Sequence, residues 1–279
     1  GRLAVLHQRL LGERDPSVAQ VYMVRMRAAE FEGRRDMKID SALLAADVLS
    51  AAHGSDHRSL LPCYESAGLD LAVTGQTQRA VDLARSVVKI RSSLPPEARD
   101  PLLLGNSHRY LSWFLGLHGS HNEAIEEGLV ARERFERALG PDHHILATID
   151  AYMAVSLTAQ RREPAGGSRR FADPLAEADA RSASALAAIA TSASMPRDQA
   201  LVIRLHRVHV LCALGRAAEA APLMADGLNP GLVADVGYPW RRMYYEDAIA
   251  CAEAVGDTAK VAELRDRFAN PPSAGAAPP

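Results

Sequence analysis

Aromatic residues make up only 5% of this 279-residue sequence, and its three cysteines, Cys63, Cys212 and Cys251, lie far apart with no CxxC pair among them. That cysteine pattern suits a reducing compartment and a structural role for each thiol, so a cytoplasmic location is expected. Charge is nearly balanced, with 32 Lys and Arg against 34 Asp and Glu for a formal net charge of −2. A dedicated nucleic-acid binder would show a basic excess, and that class is excluded. No stretch approaches 18 apolar residues, so no membrane span is expected. Runs of β-branched residues are scarce, which argues against sheet. An initiator Met and a signal peptide are also missing, and the chain reads as a piece of a longer protein. What is abundant is hydrophobic content, at 48%, together with the strong helix formers Ala, Leu, Arg and Glu. The expected fold class is all-α.

The sequence repeats itself. Turn-like stretches recur with an aspartate in the same place, in "LGERDP", "HGSDH", "PPEARDP" and "LGPDHH". Their aspartates, Asp15, Asp56, Asp100 and Asp142, are spaced 41, 44 and 42 residues apart. A second marker is a glycine between two helical stretches: Gly33, Gly75, Gly119, Gly215 and Gly256, spaced 42, 44, 96 and 41. Two markers that keep one period identify an array of supersecondary units. Each period reads as two helices. In the second, "SLLPCYESAGLDLAVTG" is helix A and "QTQRAVDLARSVVKIRSSL" is helix B, with Gly75 at the bend.

Gly68 late in helix A and Ala80 early in helix B form a small-residue pair that lets two helices cross closely. With Tyr64, Ala67, Leu71, Gly75, Ala84 and Val87, this pattern resembles the tetratricopeptide repeat (TPR). The third repeat matches through Leu111, Ser112, Leu115, Gly119, Ala124 and Ala131, and the fifth through Leu211, Gly215 and Ala220. Departures are Lys38 in the first repeat, where helix B normally has alanine, Val208 in the fifth, and Ile249 with Val261 in the sixth. The long period and the "LGPDH" turns are similar to the kinesin-light-chain-type variant. The resemblance implies a right-handed α-solenoid of antiparallel helix pairs, a TPR-like superhelix, with about six repeats over residues 12–269. Residues 1–11 fit the remnant of a preceding repeat. The stretch near 161–174, rich in Pro and Gly, is expected to be an inserted loop, and 270–279 a disordered tail.

The chemistry-bearing residues have bland explanations. Asp142 is expected to cap the next helix, as Asp15, Asp56 and Asp100 do in their own turns. His143 echoes His57, and only His144 lies outside that echo. His118 with His121, and His206 with His209, are close pairs without an HExxH-type arrangement. No GxSxG, Walker-type or GxGxxG motif occurs. No catalytic residue, metal site or cofactor is therefore assigned, and a non-catalytic protein-interaction module is expected. By the resemblance, its partner, a protein or peptide, lies in a concave groove lined by helices A. Inward positions are Gln20, Met23, Arg27 and Glu30 in repeat one, Asn106, Arg109, Trp113 and Leu117 in repeat three, and Leu205 and His209 in repeat five. The partner-binding candidates are Arg27, Asn106, Arg109, Trp113 and His209, since Arg and Trp are enriched at interface hot spots. A carboxylate clamp of the kind some family members carry is incomplete, because Glu65 and Leu69 stand where a basic residue and Asn are needed. Arg161, Arg162, Arg169 and Arg170 form a basic loop that could hold an acidic partner. Self-association through exposed repeat ends is a further candidate. By resemblance, the chain is the C-terminal part of a bacterial regulatory protein such as a serine/threonine kinase, or else a ligand- or peptide-sensing domain of a transcription regulator.

Overall fold

The computed structural model describes residues 6, 12, 15–160, 171–192, 194–227 and 238–270. The expectations for residues 1–11, for the basic loop with Arg161, Arg162, Arg169 and Arg170, and for the tail beyond Asn270 lie outside the described residues. Among those described, all regular structure is helical. Twelve α-helices follow in order. They are α1 (Pro16–Phe31), α2 (Arg35–His53), α3 (Leu61–Val73), α4 (Thr77–Ser93), α5 (Pro101–His118) and α6 (His121–Leu139). Then come α7 (His144–Gln160), α8 (Pro174–Thr191), α9 (Arg197–Ala213), α10 (Ala217–Gly227), α11 (Tyr238–Ala254) and α12 (Thr258–Ala269). Odd-numbered helices are the A helices of the repeat, even-numbered ones the B helices. No described helix is long and apolar enough to cross a membrane.

Five A-to-B turns share one backbone geometry. In each, the residue after the marker glycine donates its N–H to the carbonyl five residues back. The pairs are Arg34 to Ala29, Gln76 to Leu71, Ser120 to Leu115, Arg216 to Leu211 and Asp257 to Ala252, at 2.8 to 2.9 Å. This is the Schellman end of a helix, which needs a left-handed residue. Gly75 supplies it at φ 82° and Gly119 at φ 94°. The glycine marker is thus the sequence trace of a backbone requirement.

The B-to-A turns differ in a way the aspartate marker hid. Asp15 caps α1 through the Ser17 N–H at 2.8 Å, and Asp100 caps α5 through the Leu102 N–H at 2.8 Å. In both, aspartate directly precedes a proline at the first helical position. At "SDHR" and "PDHH" the cap is the next residue instead. His57 Nδ1 accepts the Ser59 N–H at 3.3 Å, and His143 Nδ1 accepts the Ile145 N–H at 3.3 Å. The expected capping by Asp56 and Asp142 is corrected: one residue too early, they cannot reach the helix start. Asp56 pairs with Lys89 at 2.7 Å. Burial, then the neighbouring His144, holds His143 below the usual imidazole range, which keeps its cap nitrogen bare.

The chain divides into two compact units, Gly1–Phe114 and Leu115–Pro279. In the first, α1 packs on α2, α2 on α3 and α3 on α4. The small-residue crossing is present: a Cβ on Gly68 would stand 4.0 Å from the Ala80 carbonyl and 3.4 Å from the Phe114 ring. Lys38, the departure from alanine, has an answering charge one helix on. Its ammonium lies 3.0 Å from Asp70 and 3.1 Å from Glu30, while Arg35 sits 3.4 Å from the other Asp70 oxygen. Burial opposes the Lys38 charge, but Asp70 and Glu30 outweigh it and hold the pKa above the ordinary value.

In the second unit, α7 is buried nearly all round and packs against α6, α8 and α9. Helix α9 also packs on α8, α10 and α11, so A helices meet A helices of the next pair. The sixth-repeat departures, Ile249 and Val261, join the apolar cluster that holds the last helices together. A further correction concerns the cysteines. Cys212 of α9 and Cys251 of α11 form a disulfide, with Cα atoms 5.9 Å apart. Their 39-residue separation is close to one repeat period, which brings them to facing positions on neighbouring A helices. Three independent thiols in a reducing compartment were expected, and Cys63 alone remains one. It is fully buried, and burial pushes its thiol up to about 11.

Candidate functional site

The A-helix positions read from the repeat register have unlike fates. Arg27 is exposed on α1. Asn106 and Arg109, one turn apart on α5, bind each other: Nε and Nη2 of Arg109 donate to Asn106 Oδ1 at 3.0 and 2.7 Å. The Arg109 guanidinium also lies over the Tyr110 ring, 4.4 Å from its centroid. Among the described residues, no carboxylate pairs with Arg109. Trp113 is turned into the core at 9% exposure, against Phe114 with ring centroids 5.1 Å apart. Leu205 is buried too, at 2%. Neither side chain faces outward, because an A helix inside a stack buries more than one of its faces.

Beside Asn106, within the first unit, α3, α4 and α5 enclose a cavity of about 220 Å³. Its walls include Tyr64, Leu69, Val87, Tyr110 and Phe114, with Asn106 among the polar groups that line it. Glu65 also lines it but is committed to Arg91 at 2.5 Å. The clamp-position residues Glu65, Leu69 and Asn106 therefore converge, not on a carboxylate cradle, but on an apolar pocket. Sequence reasoning missed the aromatic wall. The closeness of Tyr110, Trp113 and Phe114 in so aromatic-poor a chain was the signal that could have found it.

A second cavity, of about 280 Å³, lies in the other unit against the "PDHH" turn, where Asp142, His143, Leu146 and Asp150 line it. Its strongest charges are already matched: Asp150 accepts from Arg181 at 2.6 Å and from Arg132 at 3.3 Å. His144 is a tie between repeats. It donates from Nδ1 to Gln199 Oε1 of α9 at 3.0 Å, and Thr148 donates to the same oxygen at 3.1 Å.

The pair His206 and His209 separates. His206 is fully buried, its ring 5.2 Å from that of Tyr152 and 6.1 Å from that of Tyr244, and burial drives its pKa well below the usual value. His209 bridges three A helices: Nε2 is 2.9 Å from Thr158 Oγ1 of α7, and Nδ1 is 2.8 Å from Asp247 Oδ2 of α11. Hydroxyl, imidazole and carboxylate in this order have the spacing of a nucleophile relay. The Thr158 hydroxyl, however, also has the Val155 carbonyl 2.7 Å away as a competing acceptor for its single proton, and the residue is 6% exposed. The arrangement fixes helices to one another.

No protein-family model matches the chain, and no curated protein matches it. Solved structures do. A putative kinesin light chain of Podosopora anserina, with nearly identical TPR-like repeats, matches at 16% identity and a TM-score of 0.54, covering 83% of this chain and 97% of that one. BtubC (BKLC) from P. vanneervenii matches at 16% identity and a TM-score of 0.55, covering 88% and 94%. A Rap protein complexed with Competence and Sporulation Factor matches at 14% identity and a TM-score of 0.59, covering 94% and 71%. At these identities the likeness speaks to fold, and the fold is that of a TPR-like array of helix pairs.

Proposed function

We propose that the chain is a non-catalytic interaction module that binds a peptide or an extended segment of a protein along its A helices. In this reading one apolar side chain enters the pocket between α3, α4 and α5, and an acidic group of the partner meets Arg109. The observation that carries it is the pairing of an apolar cavity with an adjacent guanidinium that has no carboxylate partner among the described residues. Asn106 keeps its amide N–H groups, which can donate to a partner's backbone carbonyl. The complex of the structurally similar Rap protein with Competence and Sporulation Factor supports ligand binding on such a fold. Attachment to a kinase or a transcription regulator in a longer bacterial protein, with a cytoplasmic location, extends the proposal, and the sequence upstream of Gly1 tests it.

The binding reading is tested by displaying a random nine-residue peptide library against the immobilised protein. Enriched peptides should place Phe, Leu, Ile or Met beside Asp or Glu. Filling the cavity with Ala84→Phe, or removing the charge with Arg109→Ala, should weaken a selected peptide at least about tenfold. Peptides that bind both variants as tightly as the unaltered chain would sink the proposal.

A further inference from the structure

The junction between α9 and α11 carries two links one turn apart. His209 binds Asp247, and a turn further along both helices Cys212 is bonded to Cys251. The two sulfurs differ in access: Cys251 is 2% exposed, while Cys212 is only partly buried. Cys212 is therefore the side of the bond nearer to solvent. Around these links lies an apolar cluster. Val208 and Leu211 of α9 meet Tyr245 and Ala248 of α11 in it, with Met224 and Leu264 beside them. Helix α10, which shares the contact with α11, is short and carries Pro222 within it. In a stacked array each pair is held by its neighbours, and α11 with α12 has one neighbouring pair among the described residues.

We propose that the Cys212–Cys251 bond is a reversible redox latch on the last helix pair, α11 and α12, opened by a dithiol reductant and closed by a disulfide oxidant. In opening, a reductant thiolate attacks Cys212 Sγ, and Cys251 leaves as a thiolate that takes up a proton. The second reductant thiol resolves the mixed disulfide and releases Cys212 as a thiol. Two electrons pass to the protein sulfurs, and the reductant departs as a cyclic disulfide. Cys63 does not compete, being sealed in the core of the other unit. Once the latch is open, α11 is held to α9 by the apolar cluster, the His206–Tyr244 ring contact and the His209–Asp247 bond, without a covalent link between the two helices. The A-helix surface around His209 then loosens with it.

Hydrogen exchange read by mass spectrometry tests this on the intact chain, with dithiothreitol as reductant and glutathione disulfide as oxidant. Reduction should add about 2 Da and speed exchange of the α11 and α12 amides at least roughly tenfold, leaving α1 to α4 unchanged. The Cys212→Ser/Cys251→Ser chain should exchange like reduced protein and ignore dithiothreitol. Three results would overturn the latch. One is unchanged exchange in α11 and α12 after confirmed reduction. The second is acceleration spread equally over α1 to α4, which would mark a general staple. The third is failure of glutathione disulfide to restore the bond in the folded chain.

Discussion

Removing the Asp70 charge should expose how the first repeat tolerates a lysine at a position built for alanine. The Lys38 side chain is 13% and the Asp70 side chain 10% exposed, and their charged ends lie 3.0 Å apart. Taking one partner from a buried pair costs about 3–5 kcal/mol, because a charge is left without compensation. Asp70→Asn leaves Lys38 with Glu30, which is 61% exposed and well screened. The expected loss is therefore about 2–3 kcal/mol, or a fall in Tm of roughly 3–5 °C for a chain of this size. Lys38→Met leaves Asp70 with Arg35 and should cost less, about 1–2 kcal/mol. The double variant should fall short of the sum by about 1–2 kcal/mol, since neither charge remains to be stranded. The sign of the pH dependence follows from the raised Lys38 pKa. Its contribution is complete below the ordinary value of 10.5 and is lost as pH rises through the higher folded value. Urea unfolding of the four chains at pH 7.5, repeated above pH 10.5, measures all of this. Additive single-variant losses, or an Asp70→Asn chain as stable as the parent, would refute the reasoning.

Further outcomes concern the histidines. His206 has a folded pKa well below 6.5, so its contribution is present above pH 6.5 and lost as pH falls; His206→Phe should flatten the drop in urea midpoint between pH 7.5 and 5.0. His143→Ala removes the cap of α7 and should cost about 1 kcal/mol at pH 7.5. Because the folded His143 pKa is also lowered, that difference between parent and variant should shrink as pH falls below 6.5. Thr158→Val takes away the hydroxyl between Val155 and His209, and thermal unfolding should show a loss of about 1 kcal/mol.

The array was legible because its turns impose backbone demands that few residue types meet. A left-handed helix end selects glycine, and five glycines therefore kept the period in view. The capping residue was less legible, since Asp-Pro and Asp-His look alike as turn signals while the helix starts one residue later in the second. Helix faces could be read from register. Whether a face was covered could not, and Trp113 and Leu205 ended in the core for that reason. Least visible were pairs joined across helices: Lys38 with Asp70, His209 with Asp247, Cys212 with Cys251. These depend on the axial stagger of neighbouring helices, which no local pattern encodes. The near-period spacing of Cys212 and Cys251 was the one available hint.

Helix α7 and helix α8 pair through the packing of Ala147 and Ala151 with Ala185 and through Arg181 reaching Asp150. Their association thus rests on side chains, and the covalent connection of the two helices adds only a modest entropic advantage. A protease that cuts between residues 160 and 171 should leave two fragments that travel together on a sizing column. The same interval is the natural place to splice in a reporter domain, because the helices on either side already know their partners.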